Sequence, residues 1–278
     1  MGVTIYHNPA CGTSRSTLTL IRACGIEPEV IDYLTTPPDE LTLIGLLDRM
    51  GMTVREALRE KGTPFAVLGL ANPALGDDAL RAAIQKDPIL LNRPIVVTET
   101  GAKLCRPADV VLDLLPAPPD ADVTRDDGTS FLRDRPLSER ALPGLADALT
   151  AAGLPIEDLS DPGRTFFHYA RLDSAGVGWG GFELYGADAL LRSMAVEARF
   201  HRQSYGRNLA ALLMRRAYDA GARQAYVLTD DPEARAFFAA LKFAPIARTA
   251  APAAIQNTRQ ASGLCPASAT LLRRRITL

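Results

Sequence analysis

Ile5-Tyr6-His7-Asn8-Pro9-Ala10-Cys11-Gly12-Thr13-Ser14-Arg15 decides the reading of the first half of the chain. Val3 to His7 is a short apolar run rich in β-formers, and it breaks at Asn8-Pro9. A helix follows at once, its apolar face on Leu18, Leu20, Ile21 and Cys24 and its stop at Gly25. Cys11 therefore sits where a strand hands over to a helix. The free N–H groups and positive dipole end there stabilise anions, a thiolate included. Gly12 lets the backbone approach a ligand closely, and Thr13 and Ser14 can cap the helix or donate hydroxyls to a bound oxyanion. His7, on the strand end feeding the loop, can orient neighbours or tune the thiolate. Position alone leaves two readings of Cys11, a buried structural thiol or a reactive one.

Outward from this loop, strand and helix signals alternate. Glu29 to Leu34 reads as a second strand, and Pro37-Pro38-Asp39-Glu40 opens an amphipathic helix that stops at Gly51. Further helices are predicted at Val54 to Glu60 and Asp77 to Gln85, a hairpin from Ile95 to Thr98 and Lys103 to Cys105, and a closing helix from Val110 to Leu115. Residues 116–129, rich in Pro, Asp and small side chains, read as a linker. Beyond it the predicted strands are Phe131 to Arg135, Phe166 to Leu172, Gly176 to Tyr185, Leu190 to Val196 and Gln224 to Leu228, with extended structure near Ala269 to Ile276. Helices are predicted at Ala141 to Ala152, Tyr205 to Ala220 and Pro232 to Leu241.

The chain of 278 residues, 47% hydrophobic, can bury two ordinary cores. Its 31 basic and 32 acidic residues nearly cancel, which argues against a nucleic-acid or acidic-membrane partner and makes any anion site local. No apolar run reaches the roughly 18 to 20 residues of a membrane span, and the opening residues lack the pattern of a signal peptide, so a cytoplasmic location is expected. The four cysteines, Cys11, Cys24, Cys105 and Cys265, form no C-x-x-C pair, so no metal site and no disulfide framework is expected.

The Ile5–Arg15 stretch resembles the opening of glutaredoxin-linked arsenate reductases. The likeness continues through Val54-Arg55-Glu56-Ala57-Leu58-Arg59, Pro88-Ile89-Leu90-Leu91-Asn92-Arg93-Pro94-Ile95-Val96-Val97 and Leu104-Cys105-Arg106-Pro107, covering essentially residues 2–115. The resemblance implies a thioredoxin-like fold in which Cys11 attacks arsenate, with His7 and Ser14 in the catalytic loop, while Arg59, Arg93 and Arg106 hold the oxyanion. Guanidinium groups supply charge-assisted bonds that a neutral pocket lacks. It further implies that glutathione displaces the adduct, that glutaredoxin reduces the mixed species, and that the Arg93-Pro94 bond is cis, beside the cysteine. Cys24 and Cys105 read as packing thiols. Transcription regulators of the same fold bind RNA polymerase and usually carry a C-x-x-C pair; here the fourth position is Ser14, and Arg106 completes an anion pocket that a binding module does not need.

Leu191-Arg192-Ser193-Met194-Ala195-Val196 and His201-Arg202-Gln203-Ser204-Tyr205-Gly206-Arg207-Asn208-Leu209 resemble the fourth strand and pyrophosphate loop of GNAT acetyltransferases. The resemblance implies acetyl-CoA held by Met194, Val196, His201, Arg202, Gln203, Ser204, Tyr205, Gly206 and Arg207. Backbone N–H groups opening a helix suit a pyrophosphate. In the register of the strand, His201 and Ser204 depart from the usual Gln/Arg-x-x-Gly-x-Gly/Ala pattern and Gly206 fits. Shifted by two, Gln203 and Gly206 match and Asn208 takes the small-residue place. The tail, Ala253 to Thr258 and Leu264 to Ala269, resembles the arsenic-resistance N-acetyltransferases, implying an amine or organoarsenical acceptor. Phe238 stands where many of these enzymes carry a tyrosine acid, and Glu183 and Tyr185 are the remaining candidates for base or proton relay.

The expected architecture is α/β in two domains, an N-terminal thioredoxin-like domain (1–115) and, after the linker (116–129), a C-terminal GNAT acyltransferase fold (130–278). The expected activities are arsenate reduction and acetyl-CoA-dependent N-acetyl transfer. The alternatives are a reductase whose second domain only binds acetyl-CoA or a partner, and a thiol-based regulatory module without turnover.

Overall fold

β1 (Val3–His7) forms where the apolar run predicts it and leads directly into α1 (Gly12–Ala23), which ends with Gly25 in a left-handed turn, φ 76°. β2 (Glu29–Asp32) pairs parallel to β1, β3 (Ile95–Thr98) antiparallel to β1, and β4 (Gly101–Leu104) antiparallel to β3, giving the order β2-β1-β3-β4. Between β2 and β3 lie α2 (Glu40–Met50), capped by the Asp39 carboxylate on the Thr42 N–H and stopped by left-handed Gly51, and α3 (Asp77–Lys86). Strand alternation turns Tyr6, Ile95 and Leu104 toward Leu43, Leu46, Leu80 and Ile84 of these helices. Each fully buried Leu or Ile here contributes about 1.5–3 kcal/mol by leaving water. The chain closes this unit with 3-10 turns over Ala108–Leu114 against α1, where a regular helix is predicted.

The register decides what meets at one end of the sheet. Tyr6 pairs with Ile95, so the loop after β1 lies beside the Asn92-Arg93-Pro94 turn before β3. Ile95 pairs with Leu104, so Cys105 and Arg106 lie there too, with the Cys105 N–H on the Pro94 carbonyl at 2.9 Å. The Arg93-Pro94 and Arg106-Pro107 bonds are cis.

Val54 to Glu60 is not the predicted helix. Its backbone bonds sideways: the Arg59 N–H reaches the Leu90 carbonyl at 2.7 Å, the Asn92 N–H reaches the Ala57 carbonyl at 2.8 Å, and Leu58 forms an isolated bridge with Leu91. Lateral pairing takes the groups that a helix would use internally, and it carries Arg59 to the same sheet end as Arg93.

The second sheet has seven strands in the order β10-β11-β9-β8-β7-β6-β5. They are β5 (Leu132–Pro136), β6 (Arg164–Arg171), β7 (Gly176–Tyr185), β8 (Asp188–Val196), β9 (Gln224–Thr229), β10 (Ala244–Ile246) and β11 (Thr270–Arg275). The helices are α4 (Leu142–Ala151), α5 (Tyr205–Asp219), α6 (Pro232–Ala240) and the short α7 (Ala253–Gln256). β8 and β9 run parallel but pair only over Asp188–Leu190 with Gln224–Tyr226. Past Leu190 the two strands separate, and the register between β7 and β8 slips where Ser193 takes φ 53°. The result is an open notch at the middle of the sheet.

The structure describes residues 2–119 and 121–278; Met1, and Asp120 in the expected linker, lie outside the described residues. The described chain divides into two units, the first running to Gly128 and the second from Thr129 to Thr277. Arg125 and Asp126 belong to the first, where they pair with buried Asp109 and with exposed Arg15. Among the described residues, no helix is long and apolar enough to cross a membrane.

Candidate active site

Cys11 is half-buried at the start of α1. Burial raises its pKa, but the Ser14 N–H and hydroxyl and the charges of Arg106 and Arg93 outweigh burial and bring it down to about 7. The Ser14 side chain is fully buried, and among the described residues no other group competes with the sulfur for its hydroxyl. His7, also buried, is held neutral at pH 7 because burial lowers its pKa, opposed by Asp32, and its Nδ1 has no partner among the described residues. It therefore supplies no imidazolium charge to the thiolate, which leaves that task to the arginines.

Arg106 bonds to the Cys11 sulfur and to the Arg93 carbonyl, the latter at 3.1 Å. Arg93 is 8% exposed and braced on the Ile89 carbonyl at 3.3 Å. Arg59 stands close enough for its pKa to be lowered by burial and then by the like charge of Arg93. The Nε donors of Arg59 and Arg93 are buried without partners among the described residues. Guanidinium groups therefore stand around one sulfur, an arrangement of donors suited to an anion. The predicted set, His7, Cys11, Ser14, Arg59, Arg93 and Arg106, is thus gathered at one end of the first sheet. Sequence reasoning missed Tyr33, which is fully buried and electrostatically coupled to Cys11, Arg93 and Arg59. The sequence places it only within the strand predicted from Glu29 to Leu34.

The remaining thiols differ in kind. Burial raises the pKa of Cys24 and of Cys265, and Cys105 is fully buried with its sulfur 3.6 Å from the Lys103 carbonyl. No group of three or more metal-binding side chains occurs among the described residues.

In the second unit, Met194 and Val196 lie on the part of β8 that β9 no longer covers. The loop that follows folds back on them: the His201 ring bonds to the Val196 carbonyl at 2.8 Å. Arg202 and Ser204 take left-handed φ of 60° and 66°, turning the chain tightly into α5. A Cβ on Gly206 would lie in ordinary contact with Phe237 at 3.5 Å and Val196 at 3.8 Å, which places this helix start close beside the notch. The amides of Tyr205 and Gly206 open the helix, ahead of its first internal bonds from Arg207 and Asn208 to the Ser204 carbonyl. The Tyr205 side chain does something else: it is buried against Phe200, with its hydroxyl 3.1 Å from Ser130. Gln203 folds onto the Arg199 carbonyl at 2.7 Å, and Arg202 and Arg207 are exposed.

Glu183 is committed elsewhere. It accepts from Arg192 at 2.5 Å and from the Tyr185 hydroxyl at 2.6 Å, while Arg192 also grips Asp158 and Arg164 joins both acids. The Tyr185 pKa is pushed up to about 12, first by burial and then by Glu183. Phe238 is buried edge-on against Phe237 and Phe243.

The ArsC family model matches residues 6–114, and the acetyltransferase (GNAT) family model matches residues 132–243. The arsenate reductase of Rhizobium meliloti (strain 1021) is 53% identical over 132 residues, which are 48% of this chain and 94% of that protein. The chain belongs to the ArsC family. Among solved structures, an arsenate reductase from Vibrio cholerae is 44% identical, with TM-score 0.40, over 41% of this chain and 98% of that one. An acetyltransferase of the GNAT family from Staphylococcus aureus is 14% identical, with TM-score 0.42, over 52% of this chain and 98% of that one. The ArsC unit is the thioredoxin-like domain, and the second unit, with its notched seven-stranded sheet, has the GNAT fold.

Proposed function

We propose that the ArsC unit reduces arsenate to arsenite with Cys11 as nucleophile, using glutathione and glutaredoxin. The observation that carries this reading is the Cys11 thiol, lowered to about 7 beside Arg59 and Arg93, whose buried Nε donors have no partner among the described residues. A tetrahedral oxyanion matches those donors, and the thiolate stands within the pocket to attack it. In this scheme the sulfur bonds to arsenic as an arsenate oxygen leaves as water. The thiol of glutathione then displaces Cys11 from arsenic, and a glutaredoxin thiolate attacks the glutathione sulfur, so that the S–As bonding pair reduces arsenic, arsenite departs and a glutaredoxin–glutathione disulfide remains. No second cysteine of the chain is needed, in keeping with the raised pKa of Cys24 and the burial of Cys105. Arsenate-dependent NADPH oxidation with glutathione, glutaredoxin and glutathione reductase tests it. Turnover that survives Cys11→Ser unchanged would overturn it.

The GNAT unit is proposed to bind acetyl-CoA, with the open edge of β8 at Met194 and Val196 and the helix-opening amides of Tyr205 and Gly206 as its cradle. Acetyl-CoA supplies an activated acetyl group, and the proposed acceptor is an amine, an organoarsenical one included, in a cytoplasmic route of arsenic detoxification. A second reading, binding without transfer, is favoured by two observations: Phe238 has no hydroxyl to give, and the Glu183 carboxylate is held by Arg192 and Tyr185. Calorimetric titration with coenzyme A, followed by acetyl transfer to amines, separates the two readings.

A further inference from the structure

Tyr33 does more than fill the core. β2 ends at Asp32, and the next residue turns its ring inward, with its N–H on the His7 carbonyl at 3.4 Å. The Tyr33 hydroxyl donates to the Leu91 carbonyl at 3.3 Å. Asn8 is 3% exposed, and its Oδ1 accepts the Ala10 N–H at 2.9 Å. The Asn8 carbonyl in turn accepts the Cys11 N–H at 2.9 Å.

Asn8 thus sets the loop that presents Cys11. Leu91 lies two residues before Arg93 and forms the bridge to Leu58, next to Arg59. Tyr33 therefore links, through its N–H on the His7 carbonyl and its hydroxyl on the Leu91 carbonyl, two backbone segments far apart in sequence, the strand end that feeds the cysteine loop and the arginine loop. The alignment matters because a displacement of about 1 Å between reacting groups can cost on the order of 100-fold in rate.

We propose that Tyr33 is a positioning residue, whose hydroxyl registers the Cys11 loop against the segment carrying Arg59 and Arg93. Burial keeps the phenol protonated, opposed by the charge of Arg93, so it remains a neutral donor beside the thiolate. Tyr33→Phe keeps the buried ring and removes only the brace.

The test uses the full chain and two readouts. The first is the pH profile of Cys11 alkylation by iodoacetamide, with Cys11→Ser as background. The second is the split between KM and kcat for arsenate, the one arm that rests on the proposed reductase activity. Tyr33→Phe is expected to raise the alkylation midpoint by about half a pH unit. It should raise KM for arsenate about tenfold, the equivalent of one hydrogen bond, with a smaller change in kcat and a melting temperature within a few degrees of the parent. An unchanged alkylation profile, or an unchanged KM for arsenate, would overturn the proposal. If the parent protein fails to reduce arsenate, the reductase reading falls, and the alkylation arm still decides the role of Tyr33.

Discussion

The chain opens a helix behind a tight loop twice, at Asn8–Ser14 before α1 and at His201–Gly206 before α5, and the two loops use the same backbone device differently. The first is closed and highly charged. Ser14 is buried, the thiol faces Arg93 and Arg106, and those arginines arrive from segments some 80 to 95 residues away. The second is open and local: His201 and Gln203 bond within the loop and its neighbours, and Arg202 and Ser204 are exposed. A helix N-terminus by itself offers a partial positive charge worth about 0.3–1 kcal/mol at the surface. In the first loop, long-range partners add to that weak preference and lower the pKa of Cys11; in the second, the proposed acetyl-CoA cradle relies on the backbone.

The sharpest break of this contrast is Cys11→Ser, expected to lower reductase turnover by on the order of 1,000-fold or more in the coupled assay, with coenzyme A binding by the second unit unchanged. Next is the buried ionic cluster of the second unit. Glu183→Ala removes one of the two acids holding fully buried Arg192, leaving Asp158, and should cost about 1–3 kcal/mol in denaturant unfolding of that unit. A catalytic base would instead show lost acetyl transfer at unchanged stability. Arg106→Ala is expected to weaken arsenate use about 10- to 100-fold, as for a hydrogen bond to a charged group. It should also move Cys11 alkylation upward in pH. In the parent, alkylation falls as pH drops through about 7, because protonation removes the nucleophile; with one cation gone, the same fall begins at higher pH.

Gly206→Val should weaken coenzyme A binding about tenfold by crowding Phe237 and Val196 at the notch, with the thiol profile of Cys11 untouched. The smallest effect is expected from Asp126→Ala, which removes a partner of exposed Arg15. It should shift the melting temperature by no more than a degree or two, as for a surface pair worth about 0–1 kcal/mol.

Much of the layout was legible along the chain because it is encoded locally. Gly25 and Gly51 end their helices by left-handed turns, Asp39 caps α2, and the periodicities of β1 and α5 match their spans. The segment from Val54 to Glu60 misled because its composition favours a helix while its amides pair sideways with Leu90 to Asn92, a choice made by neighbours far away in sequence. Tyr33 escaped notice for a related reason: an aromatic residue within a predicted strand carries no mark of its own, and only its hydroxyl partner distinguishes it. Glu183, on a central strand, invited a catalytic reading until Arg192, Arg164 and Tyr185 closed around it.

The sequence by itself pointed to two α/β units and to Cys11 as the proposed nucleophile, since strand and helix periods, glycine stops and a cysteine at a helix start are short-range features. The tertiary structure alone decided the acidity of Cys11, the orphaned donors of Arg59 and Arg93, the brace at Tyr33 and the notch between β8 and β9. Each of these depends on distance and burial between residues remote in sequence. Electrostatic strength follows separation and local dielectric, which no linear spacing encodes.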